Sequence, residues 1–164
     1  MNADAIKIIV PVGSLGAYTS AEEVRRGIEL GAHAIASDAG STDSGAAYLA
    51  LGVSKNSRGA VKRDLTLLMQ AQAEAGIPLL ISSCGQSGGD AGLTWTRELA
   101  LEIAEELGLT PKIAIIFSEQ SKDVLKAKNA AGKIRALAPL GPLSDETIDS
   151  CDHIVAAMGP EPYI

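Results

Sequence analysis

Apolar runs and amphipathic segments alternate along this chain. Short apolar runs, which predict buried strands, occur at residues 6–10, 34–36, 77–82, 112–117 and 153–158. Stretches with helical apolar spacing lie between them, at 20–30, 46–51, 57–75, 99–107 and 122–137, with a short helix after Ser144. This alternation is typical of a parallel sheet covered by helices. We therefore expect an α/β fold: a single three-layer, Rossmann-like domain over residues 1–164, with a mostly parallel sheet of about five strands.

Helix ends are marked by local signals. The segment 20–23, Ser-Ala-Glu-Glu, is a capping box, in which the serine caps the helix and the last glutamate reaches back. Gly31, Gly76 and Gly108 follow three predicted helices, at the position where a left-handed glycine commonly ends a helix. These signals separate the helices from the strands that follow them.

Loops rich in glycine, serine and aspartate follow the predicted strands. In an open parallel sheet, ligands bind beyond the carboxyl ends of the strands. The loops at 13–16, 38–45 and 83–90 and the pair Ser118-Glu119 should therefore converge on one edge. Glycines allow backbone N–H groups to approach a ligand, and nearby helix N-termini favour phosphate or carboxylate. The sequence thus predicts one shared site for a small anionic molecule.

Two of these loops supply the candidate site residues. We expect Asp38 and Asp43 to act as general bases and Cys84 as a nucleophile. Substrate-binding groups are expected from Gly40, Ser41, Thr42, Gly85, Gln86, Ser87 and Gly88. The alternative is that the glycines only form tight turns, the acids cap helices or bind turn amides, and the cysteine is inert and buried. No residue is assigned to a metal.

A basic cluster follows the 38–45 loop in an otherwise acidic protein. It consists of Lys55, Arg58, Lys62 and Arg63. Arg58 and Lys62 are four residues apart and share a helix face, so they could hold a carboxylate or phosphate. The alternative is a solvated helix start, although cations there oppose the helix dipole.

A hydrolase motif is present but fits the chain poorly. Residues 85–89, Gly-Gln-Ser-Gly-Gly, match the G-x-S-x-G pattern of α/β-hydrolases. We expect its serine to lie beyond the strand end, in a loop that continues through residues 90–92 instead of entering a helix. His33 and His153 each precede a predicted strand, which places both at the opposite edge of the sheet. A serine or cysteine hydrolase is therefore the least favoured function.

The two cysteines, Cys84 and Cys151, fit a reduced compartment and belong to no C-x-x-C pair. Cys84 is predicted at the ligand edge, whereas Cys151 and both histidines are predicted at the other, which argues against a tetrahedral zinc site. The sequence identifies no cofactor.

Composition narrows the class of partner. The net charge of −6 and the 3% aromatic content argue against nucleic-acid binding. No apolar run is long enough to cross a bilayer, and no signal-peptide pattern opens the chain. We expect a cytoplasmic protein without a membrane partner.

Several segments resemble the acyclic terpene utilisation family. The resemblance is carried by residues 38–45, Tyr48-Leu49, Ser57-Arg58, 60–65, 75–79, 84–89 and Trp95-Thr96, and it covers nearly the whole chain. The family takes its name from a bacterial pathway that degrades citronellol-type and geraniol-type terpenoids through acyl-CoA intermediates. Its members are longer, so the resemblance implies that this chain corresponds to an N-terminal half whose site a second domain would complete.

Three functions are consistent with these patterns. The first is an enzyme, or half of one, in the catabolism of small organic acids or acyl-CoA thioesters, with Arg58 and Lys62 holding an anionic part of the substrate and the amides of residues 85–89 stabilising an oxyanion. The second is a non-catalytic ligand-binding or assembly domain that forms a homo-oligomer or joins a missing C-terminal domain. The third is a hydrolase centred on Ser87 or Cys84. The enzyme class stays open.

Overall fold

The computed structural model describes residues 5–40 and 45–163. The chain divides into two compact units, Met1–Ile115 and Ile116–Ile164. The N-terminal unit contains strands β1 (Ile8–Ile9), β2 (Ala34–Gly40) and β3 (Leu79–Gln86) and helices α1 (Ala21–Glu29), α2 (Gly45–Leu51), α3 (Arg58–Ala75) and α4 (Asp90–Leu107). The C-terminal unit contains helices α5 (Lys122–Ala130) and α6 (Asp145–Ser150) and a 3₁₀ turn (Glu161–Tyr163). The predicted α/β class is confirmed.

The sheet is parallel, in the order β1-β2-β3. The central strand, β2, pairs Ile35 with Ile9 on one side and with Leu79 on the other. Parallel strands need crossover connections, which are nearly always right-handed. Each strand pairs with the free edge of the strand before it, so right-handed crossovers place the connecting helices α1 and α3 on the same face of the sheet.

One apolar core lies between that face of the sheet and the three long helices. Ile9, Ile35 and Ile81 of the strands join a cluster formed by Val24, Val61, Leu65, Leu68, Met69, Leu99 and Ile103 of the helices. Side chains alternate along a strand, so their neighbours Ile8 and Leu80 point the other way and are 55% and 36% exposed. The N-terminal unit is therefore two layers deep, where the sequence predicts three.

The predicted number of strands is wrong: among the described residues the sheet has three strands and not about five. Residues 112–117 form no strand, and within residues 153–158 the pairing is a single antiparallel bridge, Val155 with Glu119. An apolar run predicts burial, whereas a strand also needs a hydrogen-bonding neighbour, which local sequence does not specify. Helix α5 is shorter than predicted because Gly132, at φ +65°, follows its end.

The carboxyl end of β3 is bulged. Asp38 pairs with Ser82 and Gly40 pairs with Gln86, so two residues of β2 oppose four of β3. Ser83, Gly85 and Gln86 take up the extra length at φ +50°, +69° and +90°. A positive φ costs a residue with a side chain roughly 1–2 kcal/mol, so packing around the bulge must hold Ser83 and Gln86 in place.

Close backbone packing at two glycines supplies that constraint. A Cβ on Gly92, in the first turn of α4, would overlap the carbonyl oxygen of Cys84, and a Cβ on Gly85 would overlap the Cα of Gly92. The helix backbone therefore lies directly against the bulge, and only glycine permits this approach.

Gly92→Ala should destabilise the protein by about 1–3 kcal/mol, because the added methyl overpacks a backbone contact. Gly59→Ala is the matched control: Gly59 is also in the first turn of a long helix, but a Cβ there meets open space. That control should gain about 0.5–1 kcal/mol from helix propensity. The free energy of unfolding in urea measures both, and equal effects of the two substitutions would contradict the packing role of Gly92.

Candidate functional site

Three segments of the N-terminal unit meet at Asp38, near the carboxyl end of β2. The Leu15 amide, in the loop after β1, donates to the Asp38 carbonyl at 2.8 Å. On the other side, Asp38 pairs with Ser82 of β3, just before the bulge. The structure thus places the loop after β1 against the carboxyl end of β2, beside the neighbouring strand β3.

The Asp38 carboxylate has a local partner. Its Oδ1 accepts a hydrogen bond from the Gly40 amide at 2.8 Å, which closes a turn of the kind aspartate commonly stabilises. A Cβ on Gly40 would lie 2.6 Å from the Ser83 Cβ and 2.7 Å from the Gln86 carbonyl oxygen. Gly40 is therefore required by the packing of β2 against the bulge. The candidates Ser41, Thr42 and Asp43 lie outside the described residues.

Cys84 lies inside the bulge and is 7% exposed. Burial raises the pKa of its thiol, the Thr96 hydroxyl group opposes this by hydrogen bonding, and the negative charge of Asp38 raises the pKa further. The thiolate, which is the nucleophilic form, is thus disfavoured at neutral pH. This environment fits the inert buried cysteine that the sequence left as an alternative.

The connection from β3 to α4 is shorter than the sequence predicts. Strand β3 runs through Gln86 and α4 begins at Asp90, so only residues 87–89 separate them. The Gly88 amide donates to the Cys84 carbonyl at 3.2 Å and closes the turn. The expectation that the chain continues as a loop through residues 90–92 is wrong, because Gly92 packs as part of the helix. The N-cap, Gly89, offers no side-chain oxygen to the first-turn amides of α4.

This strand–turn–helix connection is the context that a G-x-S-x-G motif requires. His33 is nevertheless not placed to act as a base for Ser87. It lies beside the amino end of β2, where its Nδ1 accepts a hydrogen bond from the Lys7 amide at 3.1 Å. His153 belongs to the C-terminal unit, where its Nδ1 lies 3.1 Å from the Glu119 carboxylate. The sequence predicts opposite sheet edges for Glu119 and His153; the antiparallel bridge between their segments overturns this.

The residues of the basic cluster differ in their ion-pair partners. Arg58 forms an ion pair with Glu102 of α4, and Lys62 contacts both Glu102 at 2.7 Å and Glu106 at 2.5 Å. The hydrogen bond from Arg58, followed by that from Lys62, lowers the pKa of Glu102 to about 2. The same contacts raise the pKa of Arg58 and of Lys62. The two predicted substrate-binding cations therefore connect α3 to α4 in this structure.

A buried carboxylate outside the residues predicted for the site lies next to this cluster. Asp64 of α3 is 1% exposed, and its Oδ2 accepts from the Gly16 amide at 2.9 Å. Its Oδ1 accepts a hydrogen bond from Arg63 Nε at 2.8 Å and forms an ion pair with Arg63 Nη2 at 2.7 Å. The signal was present in the sequence: an aspartate three residues after Val61 and four before Leu68 lies on the apolar face of the helix.

None of the helices in the described part of the chain has the length and apolar character needed to cross a membrane. Within residues 5–40 and 45–163, no three side chains of the histidine, cysteine, aspartate and glutamate types gather as a metal site would require. Comparison of the chain with protein-family models, with curated proteins and with solved structures gives no match.

Glu102→Gln should reduce stability in a pH-dependent way. The pKa of Glu102 in the folded protein, about 2, is below its usual 4.5, so the carboxylate stabilises the fold above pH 4.5 and this contribution is lost as pH falls towards 2. Unfolding in urea should therefore show a difference between wild type and E102Q that is largest near neutral pH and disappears in acid. Glu105→Gln, at an exposed position of the same helix, should show no such trend.

Cys84 should resist alkylation, whereas Cys151 should react. Both thiols are free, but Cys84 is buried with a raised pKa and Cys151 is partly exposed. Iodoacetamide at pH 8, followed by peptide mass spectrometry, should label Cys151 first and Cys84 only when urea is added. Faster labelling of Cys84 in the folded protein would restore its assignment as a nucleophile.

Proposed function

We propose that this chain binds a small organic anion, a carboxylate or a CoA thioester, at the carboxyl edge of its parallel sheet. The observation that carries this proposal is the meeting of the loop after β1 with strands β2 and β3 at Asp38, through the Leu15 hydrogen bond and the pairing with Ser82. Ligands in open parallel sheets bind at this edge. The resemblance to the acyclic terpene utilisation family supports a role in terpenoid-type acyl-CoA catabolism, as an enzyme or as half of one.

An anion is favoured by the start of α4. The helix begins after a glycine-rich turn, and its N-cap is Gly89, which has no side chain of its own to cap the helix. N–H groups at a helix N-terminus carry a partial positive charge and bind carboxylates and phosphates. In the proposed complex, the backbone of Gly85, Gln86, Ser87 and Gly88 and of Gly40 surrounds the ligand. Asp38 acts as the base, and the assignments of Ser41, Thr42 and Asp43 stay predictions from the sequence.

Arg58 and Lys62 are given a different role from the one their spacing suggests. Each is paired with an acidic residue of α4, so each would bind a ligand only by giving up Glu102 or Glu106. We therefore do not include them among the ligand-binding groups. Cys84, because it is buried with a raised pKa, is assigned to packing and not to covalent catalysis.

A non-catalytic assembly role is the second candidate. The face of the sheet opposite the core exposes apolar side chains, including Ile8 and Leu80. Parallel sheets are normally covered on both faces, so this face suits a homo-oligomer contact or a further domain. A hydrolase centred on Ser87 has less support, because His33 lies beside the amino end of β2.

Titration of the ¹⁵N-labelled chain with acetyl-CoA, acetate or inorganic phosphate tests these functions by NMR. If the proposal is correct, amide shifts will concentrate in residues 14–16, 38–40 and 85–91, where ligand and helix N-terminus meet. Shifts confined to other residues, or none with any probe, would refute it. Shifts at residues 8 and 80 that depend on protein concentration instead of ligand would favour assembly.

A further inference from the structure

Within the basic cluster, Arg63 differs from Arg58 and Lys62 in its ion-pair partner. Its partner is the buried carboxylate of Asp64 on the same helix and not an acid of α4. Its guanidinium also lies over the ring of Tyr18, 5.8 Å from the ring centre. A planar cation held at one edge by a buried carboxylate and on one face by an aromatic ring has a fixed orientation.

The contact with Asp64 uses only one edge of the guanidinium. Of its five N–H groups, Nε–H donates to Oδ1 of Asp64, and Nη2 lies 2.7 Å from the same oxygen as an ion pair. Nη1 and the second N–H of Nη2 form the other edge of the fork. Among the described residues, no protein group accepts from Nη1, and the Arg63 side chain is 54% exposed. This edge matches the spacing of two oxygens of one carboxylate or phosphate.

Arg63 is also close to the candidate site. Two consecutive amides of the loop after β1 tie the two places together: the Leu15 amide donates to the Asp38 carbonyl, and the Gly16 amide donates to Asp64 Oδ2. Since consecutive residues of a chain are about 3.8 Å apart, the Asp64 Oδ2 atom lies within about 10 Å of the Asp38 carbonyl oxygen. Tyr18, which carries the guanidinium on its face, follows in the same loop.

We propose that Arg63 is the residue that binds the charged group of the ligand, through the Nη1–Nη2 edge of a guanidinium positioned by Asp64 and Tyr18. The ligand class this geometry takes is an oxyanion with two oxygens in one plane, a carboxylate or a phosphate group of a larger molecule. This assignment rests on the proposed binding function and specifies its anchor. Asp64 and Tyr18 are positioning residues.

The test compares two arginine-to-lysine substitutions by calorimetric titration with acetyl-CoA and with inorganic phosphate at low ionic strength. Lysine keeps the charge beside Asp64 but cannot form the two-pronged contact. Arg63→Lys should weaken binding at least about tenfold. Arg26→Lys, at an exposed arginine paired with Glu29, is the matched control and should change affinity by less than about twofold. Arg58→Lys should behave like this control.

The possible outcomes distinguish failure of the Arg63 assignment from failure of the proposed binding function. If R63K binds as tightly as wild type, the assignment of Arg63 is overturned and the proposed function still stands. If only R58K loses affinity, the assignment of Arg63 is likewise overturned, and Arg58 takes its place. If wild type binds neither probe, the proposed function fails and the anchor fails with it. Should R63K not fold, phenylglyoxal modification of the unaltered protein replaces it: acetyl-CoA should protect Arg63 from the reagent, and equal modification with and without acetyl-CoA overturns the assignment.

Discussion

Burial of the Asp64 carboxylate is the constraint on which the arrangement of the N-terminal unit depends. A charge removed from water must be paired and hydrogen-bonded, and removing one partner of such a pair typically costs about 3–5 kcal/mol. Asp64 meets this need with the Gly16 amide on one oxygen and the Arg63 guanidinium on the other. The loop after β1 is thereby held against α3, and its Leu15 amide is presented to β2.

A second constraint comes from steric contact, at the carboxyl end of β3. The bulge there contains two residues with side chains at positive φ, Ser83 and Gln86, which local preference disfavours. The backbone of α4 meets the bulge at Gly92 and leaves no room for a side chain at Gly85. Strain of this kind persists only where surrounding packing over-determines the conformation, and such places are frequent at binding sites. The bulge and the first turn of α4 are consequently held in direct backbone contact.

Charge is distributed unevenly along α3. Arg58 and Lys62 bind the acids of α4 and serve the contact between two helices. Arg63, one residue after Lys62, points toward the buried Asp64 and the loop after β1. Adjacent positions on a helix are separated by about 100°, so neighbours in sequence serve different surfaces. For this reason a basic cluster read along the chain does not reveal which of its members faces a ligand.

Local sequence determined the elements whose causes are local. The serine caps of α1 and α3, the glycine that ends α3 at φ +65° and the apolar stripe of α3 all follow from residues within a few positions of one another. The location of the candidate edge also follows from local sequence, because every connection from a strand to a helix in a parallel sheet begins at the carboxyl edge. A buried aspartate in the apolar stripe was visible as well, although its partners were not.

Tertiary structure alone decided which strands pair, how the bulge is shaped and where each charge points. Residues 112–117 have the composition of a strand yet join no sheet among the described residues, because pairing depends on a neighbour distant in sequence. Gly85 belongs to a ligand-binding loop in the sequence-based prediction, but in the structure Gly85 and Gly92 permit two backbones to touch. Partner choice between Arg58 and Glu102, or between Arg63 and Asp64, likewise follows from helix packing and burial. Sequence thus specifies local conformation and burial, and long-range contacts specify the site.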